Sequence, residues 1–229
     1  MYSRPLTPHV IRTIRRPPAE VIKALSRFDA AHAHEGLGQR GAMHSRIKPI
    51  APGMRVCGPA VTVWSPPSDD LILQKAIEVA QPGDVIVAEV GGDTEAGVWG
   101  EIMSYAAHTR GIAGLVVNGS VRDVRATREM GFAIFAAGIC MKGTGKDHLG
   151  YVNHPMSCAG VLVHPGDVIL GDDDGVVVIP REEAEGLVEI CRNREKREEE
   201  WKALIRAGKT SMDFQNLRPL FASKGLIEE

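Results

Sequence analysis

The chain has 229 residues, enough to bury a sizeable core as one large domain or two small ones. Its 27 basic and 29 acidic side chains leave a formal net charge of −2, which excludes a basic footprint for nucleic acid. No apolar run is long enough to cross a bilayer, the basic N-terminal stretch has no apolar signal segment behind it, and the four cysteines are scattered without a CxxC pair; a soluble, cytoplasmic protein with reduced thiols is expected.

After the break at Pro17 and Pro18, Val21, Ile22, Leu25 and Phe28 fall on one face and predict a short helix over 19–28. The glycine-rich segment 29–43 carries His32, His34 and Glu35. A metal reading is outweighed there by a helix start or loop with solvated histidines. Residues two apart share a face only on a strand, and Gly36 and Gly38 argue against one. A place for His34 or Glu35 at the rim of a ligand pocket stays open.

Residues 54–64 alternate and are rich in β-branched side chains, so they predict a strand, with Pro59 marking an edge or a bulge. The turn 65–70 offers Asp69 or Asp70 as N-cap for a helix over 71–80, and 82–90 reads as a turn followed by a buried strand.

The stretch 96–130 concentrates the chemistry. A glycine-hinged turn leads into a helix over 101–110, closed by Gly111, and then a buried strand over 114–118. The strand delivers the loop Gly119-Ser-Val-Arg-Asp123 at its carboxyl end, where ligands of open α/β folds tend to bind. The helix start at Gly100, Glu101, Ile102 and Met103 can bring free backbone amides to the same place. An arginine, a carboxylate and free amides suit a small metal-bound acid.

A further strand is expected at 132–135. The loop 138–151 contains Gly-Thr-Gly-Lys146, which lacks the spacing and the following helix of a phosphate loop. It reads as a solvated loop or, less strongly, as a lysine reaching a substrate carboxylate. Segments 156–163 and 167–170 predict a hairpin about His164-Pro-Gly166. Asp172, Asp173 and Asp174 before Gly175 form a turn in preference to a metal site, ahead of an apolar strand at 176–179. Pro-Gly-Asp-Val-Ile occurs twice, at 82–86 and 165–169, suggesting two similar turn-and-strand units. Residues 181–207 form a long helix, charged on most faces, with ion pairs such as Glu198 with Lys202. The tail to Ile227 is apolar enough to dock.

The sequence resembles the class II pyruvate aldolases that cleave 4-hydroxy-4-methyl-2-oxoglutarate and 4-carboxy-4-hydroxy-2-oxoadipate, relatives of the regulator of ribonuclease activity A. The resemblance runs through HEGLGQRG (34–41), GPAVTVWSPPSDD (58–70), PGDVIVAEV (82–90), VWGEIMSYAAHTRGIAGLVVNGSVRDVR (98–125) and GDDDGVVVIP (171–180). It implies an α/β fold, a compact layered β-β-α sandwich of the swivelling-domain kind. That domain would span 1–180, with a helix and tail over 181–229 packing on a neighbouring subunit of a trimer or hexamer. It also implies Mg²⁺ or Mn²⁺ on Asp123, Arg122 on the keto acid and its enolate, and the Ile102 and Met103 amides on the carboxylate. A neighbouring subunit's Glu198, with Glu199 and Glu195 as competitors, would complete the metal surroundings through water. Two departures from the family pattern stand out: Ala126 replaces an acid, and Glu101 stands where glycine is frequent. The enzyme reading competes with a regulator that binds and inhibits a partner such as a ribonuclease. The Arg122–Asp123 pair favours the enzyme.

Overall fold

The computed structural model describes residues 7–227. In chain order the elements are β1 (His9–Val10), α1 (Ala19–Leu25), α2 (Ala30–Gly36), β2 (Lys48–Pro49), β3 (Val56–Trp64), α3 (Leu71–Val79), β4 (Val85–Glu89), α4 (Glu101–Thr109), β5 (Gly114–Val121), α5 (Val124–Met130) and β6 (Ala133–Ile139). They continue with β7 (Tyr151–Val152), β8 (Met156–Cys158), β9 (Val161–Val163), β10 (Val168–Asp172), β11 (Gly175–Ile179), α6 (Ala184–Arg206), α7 (Ser211–Phe214) and α8 (Arg218–Ser223). Contacts divide the chain into one unit up to Val188 and a second from Glu189 onward.

The first unit is a mixed α/β sandwich. Its central sheet runs β1-β7-β3-β4-β5-β6-β2, and β3, β4, β5 and β6 are mutually parallel. Strand alternation sorts the two faces. Ile86, Ala88, Leu115, Val117 and Ile134 turn to a core shared with α3 and α4 through Leu73, Ile77, Met103 and Ala107. Val85, Val87, Val116 and Phe135 turn the other way, onto Ile169, Val176, Val178 and Cys158 of the second β layer. Strands covered on both faces need apolar residues throughout, so β4 and β5 read as continuous runs. Each fully buried valine or isoleucine here stabilises by roughly 1.5–3 kcal/mol.

Several expectations are corrected. Strand β3 is interior, pairing with β10 over Val56–Pro59 and with β4 from Ala60. Pro59 sits where the strand exchanges one partner for the other, not at an edge. Strand β5 extends to Val121, resuming its pairing with β6 after a register shift between Val117 and Ser120, so the expected loop is partly strand. The hairpin after Met156 is β8–β9, not a pairing of 156–163 with 167–170. Ala159 (φ 46°) and Gly160 (φ 86°) form its left-handed two-residue turn, which fits the strands' twist. Strand β10 pairs instead with β3 and β11.

The repeated Pro-Gly-Asp-Val-Ile is one turn used twice, in unlike strands. Asp84 accepts the Gln81 N–H at 2.7 Å and Asp167 the His164 N–H at 2.8 Å. Yet β4 lies parallel to β3, and β10 antiparallel to it. Asp84 is further held by both ends of the Arg16 guanidinium at 2.7 Å.

In the second unit Lys202 pairs with Glu199 at 2.6 Å and also feels the charge of Glu198, which lies 3.9 Å from Arg194. Phe214 of α7 stacks on Trp201 at 5.4 Å between ring centroids, and Arg197 covers the same indole at 5.3 Å. The tail therefore docks through Phe214, while Leu220, Phe221, Leu226 and Ile227 stay exposed.

Candidate functional site

Arg122 and Asp123 lie where β5 passes into α5. The segment before α4 runs alongside as an extra bridge: the Val98 N–H donates to the Ser120 carbonyl at 3.0 Å and the Arg122 N–H to the Trp99 carbonyl at 2.8 Å. Gly100 and Asp123 are therefore adjacent N-cap residues, of α4 and α5 respectively. Asp123 holds left-handed backbone (φ 55°, ψ 35°), which for an L-residue costs on the order of 1–2 kcal/mol. Its carboxylate does not cap its own helix. Instead Oδ2 accepts the Glu101 N–H at 3.1 Å, with Arg122 Nε 3.7 Å away. Both side chains remain near half exposure, at 42 and 44 %.

Gly100 is required by proximity. A Cβ there would fall inside van der Waals contact with Asp123 Oδ2 and 3.1 Å from Arg122 Nε. Beside it, α4 begins at Glu101, and the Ile102 and Met103 N–H groups precede the first intrahelical bond, from the Ser104 N–H to the Gly100 carbonyl at 3.0 Å. Arg122 Nε is buried and has no hydrogen-bond partner. A carboxylate and a guanidinium with an unsatisfied buried donor thus meet over the bare α-carbon of Gly100, next in sequence to a helix start whose first amides precede the intrahelical ladder. Gly111 ends α4 with left-handed φ of 74°, the Gly111 and Ile112 N–H groups returning to the His108 and Ala107 carbonyls.

The 140–148 loop walls this spot. The Gly97 N–H donates to the Lys142 carbonyl at 2.9 Å, and the Cys140 N–H to the Val121 carbonyl at 3.0 Å. Its lysines are engaged within the chain: Lys142 pairs with Glu95 at 2.6 Å and Lys146 with Asp70 at 3.2 Å. The loop is solvent-exposed, as expected, but it is also clamped. Asp69 Oδ2 accepts the Asp147 and His148 N–H groups, each at 2.8 Å, and Asp70 Oδ2 takes the Thr144 hydroxyl at 3.0 Å. The N-cap assignment divides accordingly. Asp70 occupies the N-cap position, while Asp69 Oδ1 accepts the Leu71 N–H at 2.9 Å. Burial raises the Asp69 carboxyl, but the bonds from Leu71, Asp147 and His148 outweigh it and hold the group below the usual carboxylate value. The sequence reading gave these two buried aspartates only as N-cap candidates and missed their clamp, because their partners lie on a distant loop. The only signal was an Asp-Asp pair ahead of a helix.

The other candidates lie in helix α2, the β10–β11 turn and the second unit. His32 and His34 sit on α2, and His34 Nδ1 is 3.1 Å from the Arg40 carbonyl. The aspartate run is a turn: Asp172 accepts the Ala30 N–H at 2.7 Å and Asp173 the Gly53 N–H at 2.8 Å. Glu195, Glu198 and Glu199 belong to α6 in the second unit. Among the described residues no three His, Cys, Asp or Glu side chains converge as a metal cage. A hard cation held by one carboxylate, substrate and water does not require one.

The profile described as RraA-like: Aldolase/RraA matches residues 28–178. The chain belongs to this Aldolase/RraA family. A relative from Halalkalibacterium halodurans, named "Putative 4-hydroxy-4-methyl-2-oxoglutarate aldolase", is 41% identical over 151 residues, covering 66% of this chain and 72% of its own. A Thermus thermophilus protein named 4-hydroxy-4-methyl-2-oxoglutarate aldolase is 32% identical over 49% of this chain and 68% of its own. Among solved structures, Streptomyces coelicolor RraAS2, described as an unusual member of the RNase ES inhibitor RraA protein family, superposes with a TM-score of 0.74. It is 31% identical over 83% of this chain and 99% of its own. An uncharacterized protein from Pseudomonas syringae gives 0.77 at 28% identity, covering 92% and 96%. The Aldolase/RraA match spans α2 through β11 and so contains Gly100, Arg122 and Asp123.

Proposed function

We propose that this Aldolase/RraA chain is a divalent-metal-dependent pyruvate aldolase acting on 4-hydroxy-4-methyl-2-oxoglutarate or 4-carboxy-4-hydroxy-2-oxoadipate, with oxaloacetate decarboxylation as companion reaction. The observation that carries it is the buried, unpartnered Arg122 Nε beside the Asp123 carboxylate over the bare α-carbon of Gly100. An orphaned donor next to oxygen ligands fits an oxyanion held close to a hard cation.

In the retro-aldol step the C4 hydroxyl gives its proton to a solvent water, C4 becomes the ketone of the departing oxo-acid, and the bond between C3 and C4 breaks. The bonding pair settles as the enolate of pyruvate, which is protonated at C3. Oxaloacetate loses CO₂ through the same enolate. Asp123 Oδ1, which has no hydrogen-bond partner among the described residues, would hold Mg²⁺ or Mn²⁺. When bound, that ion supplies Lewis acidity toward the keto and carboxylate oxygens. Arg122 places its charge where the enolate oxygen develops, in a site where preorganised donors act strongly. The Ile102 and Met103 amides orient the carboxylate. No lysine imine is invoked, and Lys142 and Lys146 are already in ion pairs.

Residues 1–180 make the catalytic domain in this proposal, and 181–229 pack on a neighbouring copy of a cytoplasmic trimer or hexamer. That copy contributes Glu198 through water. Ala126, one turn into α5, removes an outer carboxylate, which lowers metal affinity on the order of 10–100-fold relative to an acid there.

A regulator-type binding protein is the second reading, favoured by the likeness to the RraA-family protein of S. coelicolor. Pyruvate release from oxaloacetate with Mg²⁺, with and without EDTA, separates the two. We expect turnover that EDTA abolishes and that Asp123→Ala loses. Wild-type rates in Asp123→Ala would remove the site assignment, and no turnover with any divalent ion would favour the binding protein.

A further inference from the structure

Helices α4 and α5 begin with the same local device. Ser104 is the fourth residue of α4, and its hydroxyl donates back to the carbonyl of the N-cap Gly100 at 2.9 Å. Thr127 is the fourth residue of α5, and its hydroxyl donates back to the carbonyl of the N-cap Asp123 at 3.2 Å. The two hydroxyl oxygens lie 3.4 Å apart. The indole N–H of Trp99 donates to Ser104 Oγ at 2.9 Å. Trp99, Ser104 and Thr127 are all fully buried.

This arrangement is unusual for a reason. A hydroxyl bonding back to the carbonyl four residues earlier gives a helix little and tends to bend it. Here it occurs twice, face to face, and each bond ends on an N-cap residue of the candidate site. Each hydroxyl has one proton, already directed at its own cap carbonyl, so the 3.4 Å contact is a secondary share of one of them. The result is a closed path from Trp99 through Ser104 to Gly100, and across Thr127 to Asp123.

We infer that Ser104 and Thr127 are positioning residues: their buried hydroxyls clasp the two helix starts and so set the left-handed backbone and aim of Asp123 against the Glu101 amide. The inference rests on the aldolase reading only where metal affinity is measured. The position of Asp123 can be read without it.

The test uses the full chain with Thr127→Val, Thr127→Ser and Ser104→Ala. Three quantities are followed: the thermal midpoint, Mn²⁺ affinity by calorimetry, and amide exchange of peptides containing Glu101. For Thr127→Val we expect a folded protein whose Mn²⁺ affinity falls on the order of 10–100-fold, with Thr127→Ser restoring most of it. Exchange at Glu101 should quicken in Thr127→Val and in Ser104→Ala, because its acceptor, Asp123 Oδ2, is no longer held. Ser104→Ala reaches the clasp from the other helix, so poor folding of Thr127→Val leaves the question decidable. A drop in thermal midpoint with wild-type Mn²⁺ affinity and wild-type exchange at Glu101 would make both hydroxyls merely structural and overturn the inference. Absence of Mn²⁺ binding in the wild type counts against the aldolase reading, and exchange at Glu101 still decides the clasp.

Discussion

Gly100→Ala is the most direct probe of the site geometry. A Cβ at this position would lie far inside the 3.4 Å at which ordinary contact with Asp123 Oδ2 begins, so the carboxylate must retreat by about 1 Å. A retreat of that size takes the bond from the Glu101 N–H, already 3.1 Å long, out of hydrogen-bond range. Asp123 is half exposed and can rotate into solvent, so the fold should lose only about 1 kcal/mol, the net worth of a single hydrogen bond. Function should lose more, because displacing a group that holds a reactant lowers rates on the order of 10²-fold per ångström. The assay is pyruvate release from oxaloacetate at saturating Mg²⁺, beside a urea unfolding curve. Wild-type kcat/KM in a folded Gly100→Ala protein would refute the idea that this cradle does the chemistry. A large stability loss with proportionate loss of activity would mean that Gly100 serves packing alone.

Other expectations follow from the same contacts. Arg122→Lys keeps a charge but not the planar fork, and should lower kcat on the order of 10²-fold, with Arg122→Gln lower still; steady-state kinetics check the order. Asp69→Ala removes the carboxylate that accepts the Asp147 and His148 N–H groups and should destabilise by about 1–3 kcal/mol, the worth of hydrogen bonds to a charged group. Because the folded Asp69 carboxyl lies below the ordinary aspartate value of 3.8, its contribution is present above that pH and is lost as pH falls through the depressed value. Urea unfolding between pH 3 and 6 should therefore steepen at its acid end in the wild type and flatten in Asp69→Ala. Burial pushes the Cys57 thiol up to about 12 and Cys191 to about 11, and raises Cys158 as well. Native alkylation read by mass spectrometry should therefore modify Cys140 first, and labelling of Cys158 ahead of it would contradict the packing.

The local grammar of the chain was legible from residue types. Alternation and β-branching marked β3 and β4, while Gly111 marked the end of α4 because only glycine takes its left-handed backbone cheaply. The run of three aspartates before Gly175 was a turn, as Asp chemistry suggests. The Arg122–Asp123 loop and the Gly100–Met103 helix start were visible as neighbours in sequence, joined by a helix and a strand. Pairing was not legible. Nothing local separates a Pro-Gly-Asp turn that launches a parallel strand from one that launches an antiparallel strand, so β10 was assigned to the wrong partner. Pro59 looked like an edge because a missing N–H is usually tolerated there, yet tertiary structure placed it at a change of partners. The clamp by Asp69 and Asp70 joins residues more than 70 positions apart, and no period or motif links them.

The sequence by itself determined which residues carry charge, which segments must be buried, and that one arginine and one aspartate follow a buried strand. Only the tertiary structure decided that Asp123 turns its carboxylate to the neighbouring helix. That choice depends on two helix starts meeting, with Ser104 and Thr127 in contact and Gly100 leaving room for the approach.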